Sequence, residues 1–392
     1  MNNNQEVSKP IYSLKQLILY FFKLGYTGFG GPVALVGYMH SDLVEKRQWI
    51  SEEEYKEGLT LAQLAPGPLA TQLGIYLGFV HYGLLGATLC GIAFVIPSFI
   101  IVVLIGIAYK HFGGLPWMQA VFYGVGAAVI GIIVMSSYKL TIKTVSSFNF
   151  SAIKEKWLLW LFYLIAATTT VITHSENVLI FIVAGLIYMM VKAPPKFILR
   201  NANSVALIGI GFWQFEWETL GKIAWFFTKA GAFVFGSGLA IVPFLHSGVV
   251  SEYHWLSEKE FVDAVAVAMI TPGPVVITVG FIGYLVNGFT GACVAALATF
   301  LPCYLFTVIP APYFKKIAGN NSIKAFVDGI TAAVIGALVG AVIIIASRSI
   351  TDILTVLIAL SAIMILIFVK KIQEPYIILM AALIGLVLKS FC

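Results

Sequence analysis

Two copies of a Pro-Gly-Pro tripeptide are the residues best suited to chemistry in this chain of 392 residues. The first lies within Ala62-Gln-Leu-Ala-Pro-Gly-Pro-Leu-Ala-Thr-Gln72, and the second follows Thr271. Proline lacks an N–H donor and disfavours a helical conformation at the residue before it, so a helix must end near Ala65. Pro68 can begin a new helix, whose free N–H groups and positive dipole end would attract an anion. The motif predicts an anion site, and a plain proline kink is the alternative.

Polar residues near these tripeptides complete a candidate binding set. Thr71 and Gln72 follow the first copy and Gln63 precedes it, so their side chains could hydrogen-bond the oxygen atoms of an anion. Lys23 and Lys229 lie in apolar surroundings, where one buried lysine per copy would balance a dianion; snorkelling to the interface is the alternative. The predicted substrate-binding residues are Lys23, Gly30, Gly31, Gln63, Pro66, Gly67, Pro68, Thr71, Gln72, Lys229, Gly236, Pro272, Gly273 and Pro274.

The glycines of this set belong to a second pair of segments. Gly25-Tyr-Thr-Gly-Phe-Gly-Gly-Pro32 is matched by Gly231-Ala-Phe-Val-Phe-Gly-Ser-Gly238. Glycine permits either close packing of helices or a break in them. With the two Pro-Gly-Pro copies, we expect four broken segments to meet near the middle of the membrane and frame a small site.

Four titratable residues occupy matching positions in the two copies. His40 and His246 lie at the ends of their segments, where a histidine serves either as a proton relay or gate or as an interfacial hydrogen-bonding residue. Glu57 and Asp263 are either proton-coupling carboxylates or favourable charges in the first turn of a helix. We assign these four residues to coupling or gating.

These copies belong to an internal repeat with an offset of about 206 residues, which relates 22–74 to 228–280. It continues as Ala-Ala-Val-Ile-Gly at 127–131 and 332–336. Within it, Trp-x-Ser-Glu predicts two helix starts, each with serine as the N-cap and a glutamate three residues on completing a capping box. Those glutamates are Glu54 and Glu260. A duplicated, helix-broken membrane sequence is typical of secondary transporters.

The composition places the chain in a membrane. It is 60% hydrophobic and 11% charged, with a mean hydropathy of +0.95, whereas a soluble domain carries charge on about a quarter of its residues. The polar stretch 1–10 lacks an apolar core, so no cleaved signal peptide is expected. The four cysteines show no disulfide or metal spacing, and the net charge of +6 is ordinary where loop lysines set orientation.

We predict an all-α polytopic membrane protein with two homologous, inverted repeats. About 12–13 transmembrane helices are expected, with proline- and glycine-broken helices at the centre. The repeats would occupy 1–192 and 221–392, joined by a linker at 193–220. If residues 203–218 do not cross the membrane, the repeats run parallel; if they cross, the repeats are inverted, which lysine placement favours. The predicted segments are 15–40, 57–81, 83–109, 117–141, 157–173, 177–192, 222–248, 262–286, 289–312, 324–347, 352–369 and 374–391.

Enzyme signatures are missing from the sequence. There is no phosphate-binding Gly-x4-Gly-Lys-Ser/Thr, no His-Glu-x2-His and no cysteine pair with zinc spacing. We therefore expect no enzyme, no cofactor, no metal and no nucleic-acid partner. An ion gradient or the gradient of the substrate itself would supply the energy.

The signatures together resemble those of the chromate ion transporter family in its long, two-domain form. The first set is Phe22-Lys-Leu-Gly-Tyr-Thr-Gly-Phe-Gly-Gly-Pro-Val-Ala34, Trp49 and Ala62-Gln-x2-Pro-Gly-Pro68. The second set is Phe235-Gly-Ser-Gly-Leu-Ala-Ile-Val-Pro243, Glu260-Phe-x-Asp263 and Thr271-Pro-Gly-Pro274. The resemblance covers nearly the whole chain. It implies a secondary active transporter of the bacterial inner membrane that exports chromate, confers chromate resistance and also recognises sulfate.

Departures between the copies leave alternatives open. Met269 stands where the first copy has Gln63, and Val234 stands opposite Gly28, so the site would be asymmetric. A transporter of sulfate, molybdate or an organic anion, an anion channel, and a membrane-embedded enzyme or assembly subunit are the alternative functions. The expected partners are a small inorganic anion, the lipid bilayer and, in a homodimer, a second copy of the chain.

Overall fold

The computed structural model describes residues 11–29, 31–146, 148–175, 177–195, 219–234, 238–313, 320–369 and 372–390. Regular structure across these ranges is helical, with no strand among them, and the all-α prediction is confirmed. Four helical segments in the described parts are long and apolar enough to cross a membrane: Leu69–Phe112, Pro116–Thr144, Val275–Tyr313 and Asn321–Ser349. The expected linker crossing at 203–218 lies outside the described residues.

The two repeats have the same order of α-helices, except that a short helix at 150–155 in the first has no counterpart among the described residues of the second. The α-helices of the first repeat are α1 (Leu14–Thr27), α2 (Gly31–Met39), α3 (Glu52–Leu64), α4 (Leu69–Phe112), α5 (Pro116–Thr144), α6 (Phe150–Glu155), α7 (Trp157–Thr173) and α8 (Val178–Lys192). Those of the second are α9 (Thr219–Ala232), α10 (Val242–His246), α11 (Glu258–Ile270), α12 (Thr278–Val308), α13 (Asn321–Ser349), α14 (Ile353–Phe368) and α15 (Glu374–Ser390). Matching π-helical segments, His40–Lys46 and Ser247–Glu252, follow α2 and α10, and a 3₁₀ turn, Val275–Ile277, precedes α12.

Both predicted capping boxes are present. The Ser51 hydroxyl accepts a hydrogen bond from the Glu54 N–H at 3.2 Å, and the Glu54 carboxylate accepts one from the Ser51 N–H at 2.9 Å. Ser257 and Glu260 make the same two bonds at the start of α11. Each box satisfies N–H groups that the first turn of a helix leaves without partners.

The first Pro-Gly-Pro joins two antiparallel helical arms. Near the open end, His81 Nε2 lies 3.1 Å from Glu54 Oε1, and further in, the Tyr76 hydroxyl donates to Glu57 Oε2 at 3.2 Å. The beginning of α3 and residue 81 of α4 therefore lie together, and the tripeptide lies at the closed end. The segment enters and leaves on the same side of the molecule.

After its reversal at the Pro-Gly-Pro, the chain reverses again at Gly83 within α4, where φ is +57°. The arms before and after this residue pack closely, since a Cβ at Gly91 would lie 2.9 Å from Ile75 and one at Gly86 would collide with Gly78. Helix α12 reverses at Gly288, where φ is +60°, in the same manner. We call residues 84–112 and 289–308 the second arms of α4 and α12.

Helices α1 and α2 form another hairpin. Tyr12, before α1, stacks on Trp49, after the π-helical segment, with ring centroids 4.8 Å apart. In the second repeat Phe226 of α9 stacks on Phe244 of α10 with ring centroids 5.7 Å apart. The equivalent positions of the first repeat are Tyr20 and Tyr38, where the Tyr20 hydroxyl donates to the Tyr38 carbonyl oxygen at 3.5 Å. The two helices of each pair thus lie side by side.

These reversals correct part of the predicted organisation. Segments 15–40 and 57–81, with their counterparts 222–248 and 262–286, were expected to cross the membrane with an interruption. In the described parts they fold back as hairpins instead. For 57–81 and 262–286 the physical reason is backbone freedom, because the glycine between two prolines adopts a positive φ that allows a complete reversal rather than a kink.

The second arms of α4 and α12 pack against each other in opposite directions. Thr88 Oγ1 lies 2.8 Å from the Tyr304 hydroxyl, and the rings of Phe99 and Phe289 are 6.4 Å apart. The early residues of one arm thus contact the late residues of the other. These two equivalent arms are therefore antiparallel to each other.

The long helices α5 and α13 pack on the last helices of the opposite repeat. In α5, a Cβ on Gly131 would lie 2.5 Å from the carbonyl oxygen of Ala359 in α14, and Gly124 lies against α15. In α13, Gly336 lies against Tyr163 of α7, and Gly329 against α8. Small residues permit this close approach of helix backbones in lipid. The two repeats are consequently intertwined rather than side by side.

Candidate functional site

The two Pro-Gly-Pro copies meet the ends of the α1 and α9 hairpins at the centre of the molecule. We call residues 66–68 the first break and residues 272–274 the second break. The Gly67 N–H donates to the Val234 carbonyl oxygen at 2.5 Å, and the Gly273 N–H donates to the Gly28 carbonyl oxygen at 2.8 Å. Each break is thus bonded to the opposite repeat, and the four predicted interruptions do come together.

Both glycines of the breaks have backbone conformations that other residues rarely adopt, with φ of +146° at Gly67 and +94° at Gly273. Space around them is also filled by the opposite repeat. A Cβ on Gly67 would lie 3.0 Å from Cys303 Sγ, and one on Gly273 would collide with Ser98 Oγ. Cys303 and Ser98 occupy equivalent positions next to the prolines of α12 and α4.

The first break carries buried polar atoms without partners. Gln72 is fully buried, and its Nε2 donates to the Pro66 carbonyl oxygen at 2.9 Å. Gln72 Oε1 and Thr71 Oγ1 have no hydrogen-bond partner, although both atoms are shielded from solvent. Buried polar groups are almost always hydrogen-bonded, so two unpaired atoms on consecutive residues beside the first break suggest a place for a ligand.

The second break is satisfied internally. Ile277 and Thr278 stand where the first repeat has Thr71 and Gln72. The Thr278 hydroxyl donates to the Val275 carbonyl oxygen at 2.8 Å, and the 3₁₀ turn uses the N–H of Ile277. The unpaired side-chain atoms of the described breaks therefore belong to the first repeat.

The first turn of α4 adds donors to the first break. Pro68 is the N-cap of this helix, and no side chain caps it. Leu69, Ala70 and Thr71 are each at most 5% exposed. The N–H groups of a first turn have no partner within the helix and carry the positive end of its dipole. This arrangement suits an anion that approaches the axis of α4.

Among the other predicted binding residues, those with long polar side chains are less buried than Thr71 and Gln72. Lys23 is exposed on α1, and Gln63 is exposed at the end of α3. Lys229 is half-buried, with Nζ 5.7 Å from the centroid of the Trp225 ring. Gly31 begins α2 with φ of +73°. Gly30 and Gly236 lie outside the described residues.

Each predicted gating histidine pairs with the glutamate that follows the N-cap serine. His40 Nε2 lies 2.8 Å from Glu52 Oε2, in a half-exposed setting. His246 Nε2 lies 2.7 Å from Glu258 Oε2, and this histidine is only 2% exposed. Arg348 binds the other oxygen of Glu258, so the second pair is extended into a three-residue network.

Hydrogen bonding sets the charge of two carboxylates at these helix starts. For Glu54, the bond with His81 and those with Ser51 outweigh burial and lower the pKa to about 2. For Glu258, burial opposes ionisation, but the bonds with His246 and Arg348 outweigh it and lower the pKa below its usual range. Both carboxylates are therefore negatively charged at neutral pH.

The matched carboxylates Glu57 and Asp263 receive hydrogen bonds from different partners. Tyr76, in the same hairpin, donates to Glu57, which is half-buried. Tyr109 comes from the second arm of α4 and donates to Asp263 at 2.7 Å across the repeats. Asp263 is 3% exposed, so the two positions match in sequence but not in environment.

Three residues near these groups could not be assigned to the site from the sequence, namely Ser98, Tyr109 and Cys303. The repeat signal reaches them, because Pro97 and Pro302 match at an offset of 205. Which side chains face the breaks depends on the reversals at Gly83 and Gly288, which the pattern of apolar residues does not reveal. In the described ranges, no cluster of three or more His, Cys, Asp or Glu could hold a metal ion.

Comparison with known proteins gives a consistent result. A family model described as "Chromate transporter" matches residues 15–190 and 221–386. A "Chromate transport protein" from Cupriavidus metallidurans is 62% identical over 384 residues, covering 96% of this chain and 94% of the relative. A "Probable chromate transport protein" from Synechococcus elongatus is 58% identical and covers 97% of each chain. A "Chromate transport protein" from Pseudomonas aeruginosa is 28% identical, covering 86% of this chain and 82% of the relative. No solved structure matches the chain.

Proposed function

The chain belongs to the chromate transporter family, and on that premise we propose that it exports chromate across the bacterial inner membrane as a secondary active transporter, giving chromate resistance. The observation that carries this proposal is the first break, where an uncapped helix start and two unpaired polar side chains are buried together. Thr71, Gln72 and the first N–H groups of α4 hold the anion. Gly67 and Gly273 allow the backbone to reach it.

The two repeats cross the membrane in opposite orientations. Support comes from the antiparallel packing of the second arms of α4 and α12, which form the Thr88–Tyr304 contact. A two-fold axis that relates antiparallel helices is perpendicular to them, and it lies in the membrane plane when the helices cross the membrane. On this proposal the linker at 193–220 joins the repeats 1–192 and 221–392 by a further crossing.

Transport follows from rocking of one repeat against the other around the breaks. The bonds from Gly67 to Val234 and from Gly273 to Gly28 join the repeats at this point and would exchange between states. His40, Glu57, His246 and Asp263 are the proposed coupling or gating residues. Lys23, Lys229 and Gln63, near the hairpin ends, attract the anion before it reaches the first break.

Accumulation of chromate in inverted membrane vesicles tests this function. We expect uptake that an uncoupler abolishes and that sulfate reduces only in large excess. A well-folded protein that takes up no chromate would contradict the proposal. Current without coupling would instead indicate an anion channel, and uptake of sulfate alone would indicate a sulfate transporter. Cross-linking in vesicles tests the expectation from the sequence that two copies of the chain form a homodimer.

A further inference from the structure

The first break holds a hydrogen-bond acceptor that a fully deprotonated anion cannot satisfy. Gln72 Nε2 donates to the Pro66 carbonyl oxygen, and because a carbonyl oxygen only accepts, this bond fixes which end of the amide faces Pro66. Gln72 Oε1 is the opposite end, and it has no partner in a fully buried side chain. An amide oxygen also only accepts, so its missing partner must be a donor.

Donors and an acceptor thus occupy consecutive residues. The Thr71 hydroxyl is 1% exposed, lacks a partner and can either donate or accept. The uncapped N–H groups of Leu69 and Ala70 only donate. A ligand that satisfies the whole set has several acceptor oxygens and one donor group.

The absence of buried cationic side chains among the described residues also favours a protonated ligand. In the parts of the chain that the structure describes, the buried polar and charged residues include no lysine and no arginine. Lys23 is exposed, and Lys229 is half-buried against Trp225. A buried ion without a contacting countercharge is unfavourable, and a second negative charge on the ligand would raise that penalty steeply. The site therefore favours a monoanion.

We propose that the first break binds a tetrahedral oxyanion in its singly protonated form, with the ligand hydroxyl donating to Gln72 Oε1. The other ligand oxygens accept from the N–H groups of α4 and from Thr71. The anion takes its proton from the solution before it binds and returns that proton after release. This inference rests on the proposed function and defines its substrate form. It also gives selectivity, because chromate takes up a proton just below neutral pH whereas sulfate remains a dianion.

Titratable side chains on the elements packed around the first break are an alternative source of pH-dependent binding, which has to be distinguished from a proton carried by the ligand. These side chains are Cys303 on α12, Lys23 on α1, Lys229 on α9, Glu57 on α3, Tyr76 on α4 and Asp263 on α11. If Glu57 or Asp263 carried the proton, Glu57→Gln or Asp263→Asn would remove the pH dependence of binding. If the ligand carries it, both variants keep that dependence.

Equilibrium binding of chromate to the purified full chain in lipid nanodiscs tests the proposal. We expect the apparent affinity to rise at least about tenfold between mildly alkaline and mildly acidic pH, because it follows the fraction of chromate that carries a proton. Competition with other anions distinguishes the effect of the ligand's charge from the effect of its hydroxyl group. Dihydrogen phosphate, a monoanion with hydroxyls, should compete better than perchlorate, a monoanion without one, and sulfate should compete least.

The Gln72→Leu variant isolates the acceptor. We expect it to weaken binding of chromate and dihydrogen phosphate about tenfold or more while perchlorate changes less than about twofold. Thr278→Val, at the equivalent position of the second break, is the matched control and should leave all four anions unchanged. If Gln72→Leu does not fold, the pH series on the unmodified chain still decides the question.

Two outcomes overturn the inference. Chromate affinity that is independent of pH, or that rises toward alkaline pH, overturns it and leaves the proposed transport function standing. Equal weakening of chromate and perchlorate by Gln72→Leu has the same meaning. Chromate that fails to bind at any pH overturns the proposed function and this inference together.

Discussion

The two breaks share a backbone and differ in what their side chains leave unsatisfied. Gly67 and Gly273 both donate across the repeats, and both have positive φ. At the second break the Thr278 hydroxyl is bonded within its own turn, whereas at the first break Gln72 Oε1 is buried without a partner. The two halves thus share the backbone geometry of the breaks, while the unpaired polar atoms, and with them the proposed anion site, belong to the first half alone. Symmetry of the backbone does not require symmetry of the side-chain chemistry.

The largest expected effect breaks the geometry that the two halves share. Gly273→Ala should destabilise the protein by about 4 kcal/mol, from a strained φ together with a collision with Ser98. Gly83→Ala is the control, because it also has a positive φ but lies in open space, and it should cost about 1 kcal/mol. Thermal unfolding in detergent measures both. Partial recovery in the double variant with Ser98→Ala would support the collision, and equal tolerance of the two alanines would contradict it.

The histidine pairs provide the second contrast. His246→Gln should cost about 2 kcal/mol, because it removes a buried partner of Glu258. His40→Gln should cost less than about 1 kcal/mol, since that pair is partly exposed. Denaturation of both variants under the same conditions measures the difference. Equal losses would show that burial does not distinguish the two halves at this point.

A third contrast concerns the hydroxyls that bind the matched carboxylates. Tyr109→Phe should cost about 1.5 kcal/mol, because Asp263 is buried and the bond crosses the repeats. Tyr76→Phe should cost about 0.5 kcal/mol, since Glu57 is half-buried and the bond is longer. Unfolding measurements compare the two. A larger loss for Tyr76→Phe would contradict the expectation that the hydrogen bond to Asp263 contributes more to stability than the hydrogen bond to Glu57.

The pH dependence of stability tests the capping box of the first hairpin. The pKa of Glu54 is lowered to about 2. The ionised carboxylate therefore contributes its full stabilisation above its ordinary pKa, and this stabilisation is lost progressively as the pH falls from there toward about 2. Allowing for solvent screening, the unmodified chain should lose about 1 kcal/mol more than Glu54→Gln between about pH 6 and about pH 3. Identical pH profiles would mean that the bonds to His81 and Ser51 do not hold the charge.

The smallest effect concerns the basic residues. Lys23→Gln and Lys229→Gln should slow chromate uptake less than about threefold, and this loss should vanish at high ionic strength, because exposed charges act over a screened distance. Uptake in vesicles at two salt concentrations measures this. A large, salt-independent loss in either variant would place that lysine in direct contact with the anion and restore neutralisation by paired lysines.

Much of the fold could be predicted from the sequence because breakers and caps act locally. Ser51 and Ser257 marked helix starts, and each Pro-Gly-Pro marked a helix end and a new beginning. The reversals could not be predicted, because a proline-broken apolar run fits a kinked span and a hairpin equally well. The contacts of Glu54 with His81 and of Glu57 with Tyr76, which only the folded chain shows, distinguish them. For the same reason Ser98 and Cys303 escaped detection as neighbours of the breaks.

The exchange of packing partners between the halves has a consequence for biosynthesis. When the ribosome has completed α8, helix α5 still lacks α14 and α15, on which its glycine-lined face packs through Gly131 and Gly124. The amino-terminal half therefore leaves the translocon unfinished and has to wait for the carboxy-terminal half to be synthesised. Two halves expressed as separate chains should be degraded when made alone and accumulate when made together. A chain with only one such half could complete its packing only by pairing with another.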